Sequence, residues 1–81
     1  MNRSDEANTN VMNGLTPTGK QRPNCELVGQ DGNAFAIMGR VSRALKKNGF
    51  SEAEVSMYLS EATSGDYNNL LRVNMDWVCD Q

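Results

Sequence analysis

Cys25 and Cys79 are the strongest nucleophiles in the sequence, and no histidine accompanies them. Without imidazole there is no Ser-His or Cys-His pair, no ready general base near neutral pH, and no zinc site built on histidine. Ser51 and Ser64 fall at expected helix termini, where a hydroxyl is explained by capping. Asp31-Gly32-Asn33 has the opening of a calcium loop, but Phe35 stands where a third oxygen ligand belongs and Ser42 where a bidentate glutamate should fall. Gly29, Gly32 and Gly39 match neither the P-loop nor the dinucleotide-binding spacing. The expectation is a protein that is not an enzyme and uses no metal and no cofactor.

Two kinds of surface remain. Arg40, Arg43, Lys46 and Lys47 cluster in one helical stretch, with Arg40, Arg43 and Lys47 on one side of it. That spacing suits phosphate contact. It equally suits a solvated face whose cations favour the helix C-terminus by about 0.3–1 kcal/mol each. Charge argues against a helix-turn-helix. The next helix, which would enter the major groove, carries Glu52, Glu54 and Glu61 with no lysine or arginine. The second kind of surface is apolar. Phe35 projects opposite the stripe containing Val41, beside Gly39 and Ser42, whose small size lets another backbone approach. Met57 and Trp77 also lie off the inner stripes of their helices. Phe35, Gly39, Met57 and Trp77 are therefore the candidate protein interface, aromatic and methionine side chains being enriched in interface cores. The competing reading covers this face with the chain's own strand or C-terminal segment.

The elements that would position these residues are legible from periodicity. Cys25 to Gln30 reads as a short strand, and Asp31-Gly32-Asn33 as the turn after it. From Ala34 to Asn48, Ala34, Ile37, Met38, Val41, Ala44 and Leu45 fall within about 120° on a helical wheel, capped by Asp31 or Asn33 and closed by Gly49. Ser51 with Glu54 makes a capping box, and Phe50 can staple onto Val55. The second helix then runs to about Thr63, buries Val55, Tyr58, Leu59 and Ala62, and ends at Ser64-Gly65. Asp66 caps a third helix whose buried positions are read as Tyr67, Leu70, Leu71, Met75 and Val78, with Asn74 inside that stripe as a hydrogen-bonded core amide in preference to a specificity group. Trp77 to Asp80 also fits an extended segment able to pair with residues 25–29. The fold class is mainly α, with a small α+β variant possible: a compact three-helix domain whose N-terminal strand pairs with the C-terminal segment.

Composition sets the frame. In 81 residues with a net charge of −2 there is room for one small domain and no basic surplus of the kind nucleic-acid binders carry. Residues 1–23 hold five hydrophobic side chains and read as a disordered polar arm; residues 24–81 hold the rest and form the helical domain. A 58-residue unit buries only about 60% of its unfolded surface, so its stability is small. No leader or membrane-length apolar run is present, which predicts a cytoplasmic protein with Cys25 and Cys79 as reduced, packed or half-exposed thiols.

The run Leu27-Val28-Gly29-Gln30-Asp31-Gly32-Asn33-Ala34-Phe35-Ala36-Ile37-Met38-Gly39-Arg40-Val41, followed by Ser64-Gly65-Asp66-Tyr67-Asn68-Asn69-Leu70-Leu71, resembles a family of small uncharacterised proteins of bacteria, bacteriophages and other mobile elements. The resemblance spans about residues 25–79. It implies a bacterial or phage cytoplasm and no cofactor, and it assigns no functional residue. Asn48-Gly49-Phe50 and Gly65-Asp66 are more loosely similar to ubiquitin-associated-type three-helix modules, whose loop usually reads Met-Gly-Phe or Met-Gly-Tyr. Together these readings predict a non-enzymatic module that binds a protein partner or itself, with weak nucleic-acid binding through the basic helix as the alternative and no membrane partner.

Overall fold

The computed structural model describes residues 14–27 and 33–80. Among them the order is strand β1 (Asn24–Cys25), helix α1 (Ala34–Lys47), helix α2 (Glu52–Ala62), helix α3 (Tyr67–Trp77) and strand β2 (Cys79–Asp80). Each helix begins on a side-chain cap. Asn33 Oδ1 accepts from the Phe35 and Ala36 amides, and Asp66 Oδ1 accepts from the Asn69 amide at 3.0 Å. At α2 the capping box is complete: Ser51 Oγ accepts from the Glu54 amide at 3.1 Å and Glu54 Oε1 accepts from the Ser51 amide at 2.8 Å. Two of the four orphan donors at that helix end are thereby satisfied. Gly49 closes α1 with φ of +88°, a left-handed conformation that a side chain would strain.

The three helices bury one core. Met38, Val41 and Leu45 of α1 meet Val55, Tyr58 and Ala62 of α2, and Leu70, Val73 and Trp77 of α3, with Phe50, Val78 and Cys25 filling the ends. Trp77 is its largest fully buried side chain; its ring packs edge-on to Tyr58 at 5.9 Å and tilted to Phe50 at 6.3 Å. This corrects two expectations. Trp77 is not surface, and the buried face of α3 is Leu70, Val73, Asn74 and Trp77, while Tyr67, Leu71 and Met75 are exposed. The helix is turned by roughly a quarter of a revolution from the expected stripe. Burying the indole and Val73 outweighs burying Leu71 and Met75, and the amide that this rotation carries inward finds a partner. Asn74 Oδ1 accepts from the Tyr58 hydroxyl at 2.5 Å, although its Nδ2 has no hydrogen-bond partner.

The strands pair in parallel, with Asn24 opposite Cys79 and Cys25 opposite Asp80. Parallel neighbours need a crossover, and here the whole helical bundle supplies it. The pairing of the chain's two ends matches the expectation, except that Trp77 still belongs to α3 and the strand begins at Cys79. Residues 28–30 of the expected strand lie outside the described residues. So does residue 31, the alternative cap and first calcium-loop position, and so does the expected arm up to residue 13. Residues 14–23 depart from the disordered reading. Leu15 and Gln21 form an antiparallel bridge, Thr16 is fully buried and its amide donates to Lys20 O at 2.7 Å, and Pro23 O accepts from the Cys79 amide. Hydrogen bonding within the turn, which hydrophobic content does not register, orders this stretch.

Candidate interaction surface

Phe35 sits in the first turn of α1 with 81% of its surface exposed. A shallow groove of about 610 Å³ runs beside it between α1 and α2, floored by Met38, Gly39 and Ser42 from one helix and Ser56, Leu59, Ser60 and Thr63 from the other. On the other side of the ring, a second depression is lined by Ala34, Met38, Ala62, Tyr67 and Leu70. The phenyl ring thus stands as a ridge between two mainly apolar hollows. The small residues set the depth of the first: a Cβ built on Gly39 would meet only the Arg43 guanidinium, at 3.8 Å. Nothing in the chain's own packing demands a glycine there, while a mid-helix glycine costs about 0.5–1 kcal/mol against alanine. Ser42 Oγ is buried without a hydrogen-bond partner.

Of the four residues read as an interface, the structure brings Phe35 and Gly39 together, leaves Met57 exposed but outside the groove, and buries Trp77. Tyr67 was missed as surface. Its place on the wheel beside Leu70 gave a core assignment, and only the true rotation of α3 puts it at the edge of the second hollow beside Phe35.

The basic residues begin at the edge of this face, where the Arg43 guanidinium reaches to 3.8 Å from a Cβ built on Gly39, and continue round α1. Arg40, Arg43 and Lys47 line a groove with Asn24, Cys25, Glu26 and Asn48, and Lys46 is exposed outside it. An adjoining groove, lined by Lys20, Arg22, Pro23 and Phe50, shares Asn24 and Asn48 with the first. The expected grouping of Arg40, Arg43 and Lys47 therefore stands, but Glu26 lies within the same groove and offsets part of its charge.

The two thiols differ in burial. Burial pushes the Cys25 thiol up, with Asp80 adding to the rise and Arg40 opposing it, so it is held in the protonated, poorly nucleophilic form. Cys79 is exposed, and both cysteines are free. Because successive residues of a strand face opposite ways, the register places Cys25 and Cys79 on opposite faces of the ribbon. Among the described residues no group of three metal-ligating side chains comes together. A half-buried polar contact is structural: the Trp77 indole N–H donates to Glu61 Oε1 at 3.1 Å, tying α3 to α2. No described helix is long and apolar enough to cross a membrane. Compared with known proteins, the chain matches no family model, no curated protein sequence and no solved structure.

Proposed function

We propose that this small helical domain is a non-enzymatic interaction module that binds another polypeptide through the face of α1 carrying Phe35 and Gly39. The observation that carries the proposal is the exposed phenyl ring beside an apolar groove in a chain that has buried its tryptophan and one of its two tyrosines completely. A ring left in water forgoes about 1.5–3 kcal/mol of burial, and a bound side chain would recover part of it. The sequence resemblance to small bacterial and bacteriophage proteins supports a cytoplasmic setting for such a module. The test is selection of peptides from a random display library on the folded chain. Selected peptides should carry apolar anchors and lose binding at least tenfold to the Phe35→Ala and Gly39→Leu variants. Selection of none, or binding indifferent to both variants, removes the proposed surface.

A second reading rests on Arg40, Arg43 and Lys47 lining one groove, namely weak contact with a nucleic-acid backbone. A single-stranded 30-mer should then shift in a salt-sensitive way, and Arg43→Glu with Lys47→Glu should abolish the shift. No shift at low salt ends that reading.

A further inference from the structure

We infer that the polypeptide bound at this face is a second copy of the chain, packed so that the two α1 helices cross antiparallel at Gly39. The inference rests on the interaction-module reading and names its partner. Its warrant is the self-complementarity of the face. Phe35, Gly39 and Arg43 follow one another at intervals of one turn, so ridge, low point and cation lie along one strip of α1, and the Arg43 guanidinium lies 3.8 Å from where a Gly39 side chain would begin. An isologous contact requires each patch to fit its own image under a two-fold rotation.

A two-fold axis at Gly39 sets position 35 of one helix opposite position 43 of the other, twice. Each exposed phenyl ring then meets the guanidinium of the other copy, a cation–π pairing that strengthens as the site dries. The glycine lets the backbones approach at the crossing. This arrangement uses both the projecting ring and the adjacent cation. α1 has 14 residues and a length of about 21 Å, so two such faces bury an area at the low end of stable interfaces. The dimer should be weak, with dissociation in the micromolar range or above.

Sedimentation velocity from about 10 μM to about 1 mM is the experiment, with circular dichroism melts showing that each variant folds. The wild-type chain should move from monomer to dimer across that range. Phe35→Ala, Arg43→Glu and Gly39→Leu should each weaken the association at least tenfold. The double exchange Phe35→Arg with Arg43→Phe restores both pairs in the antiparallel register and should regain the dimer. A chain that stays monomeric to 1 mM overturns the inference, as does a dimer indifferent to Gly39→Leu or one that the double exchange fails to restore. Display-selected peptides that still bind the Phe35 face of a strictly monomeric chain would leave the module reading standing while this inference falls. If the peptides fail as well, both fall.

Discussion

The Tyr58 hydroxyl and the Asn74 carbonyl oxygen are buried polar groups that satisfy one another. Removing one member leaves the other orphaned, at a cost of about 1–3 kcal/mol, whereas removing both leaves nothing unpaired. Tyr58→Phe and Asn74→Leu should each lower stability to urea, and the double variant should be no less stable than the worse single, a coupling of about 1–2 kcal/mol. Simple addition of the two losses would show that the bond contributes little. Asp76 presents the opposite electrostatic case. Burial raises its carboxyl, against the pull of Arg72 and Arg22, so the folded state holds its proton more tightly than the unfolded chain does. A raised carboxyl contributes stability below its ordinary range and loses it as pH climbs through the folded value. Its ionisation therefore costs stability at pH 7, and Asp76→Asn should raise the melting temperature there, with the gain shrinking toward pH 3. An equal gain at both pH values would assign the effect to packing instead.

At the scale of elements, two glycines make contrasting cases for one substitution. Gly39 is helical, and a Cβ there would make only ordinary van der Waals contact with the Arg43 guanidinium, so Gly39→Ala should stabilise α1 by about 0.5–1 kcal/mol. Gly49 has φ of +88°, and Gly49→Ala should destabilise by about 1 kcal/mol or more. Thermal melts of the pair check both signs together, and two changes of the same sign would contradict the assigned roles. The same contrast explains what could be read from the sequence. Caps and turns are local, and Asn33, Gly49, Ser51 with Glu54, and Asp66 all act where the sequence placed them. The rotation of α3 is not local. Two adjacent stripes of that helix are comparably apolar, and the choice between them depends on which one can fit Trp77 against Tyr58 and Phe50 and offer Asn74 a hydroxyl. None of those partners lies on α3. The candidate surface divides the same way: Phe35 and Gly39 follow from the strong stripe of α1, while Trp77 and Tyr67 depended on the undetermined face of α3.

At the scale of the whole molecule, the ordered stretch before β1 acts as a strap across the turn between α1 and α2. Composition hid it, because its hold is polar. Lys20 Nζ donates to Gly49 O at 3.0 Å and to Glu54 Oε1 at 2.7 Å, and the same ammonium lies 4.9 Å from the Phe50 ring centroid. One residue thus touches the C-terminal cap of α1, the capping box of α2 and an aromatic wall of the core. The lysine's hydrogen bond is the main reason the Glu54 carboxyl is held down to about 2, helped by the Ser51 amide and Thr18. A depressed carboxylate contributes stability that is complete above its ordinary value and lost as pH falls through the folded one, so the window runs from about 4.5 down to about 2. Replacing Lys20 with methionine keeps the stem and removes the charge. At pH 7 the variant should unfold at lower urea than the wild type. The gap between them should close as pH falls through that window, because protonating Glu54 removes from the wild type what the substitution has already removed. Urea midpoints at pH 7, 4 and 2 measure it. A gap that persists unchanged at pH 2 would mean that the strap holds through the bond to Gly49 and the contact with Phe50, with the carboxylate a bystander.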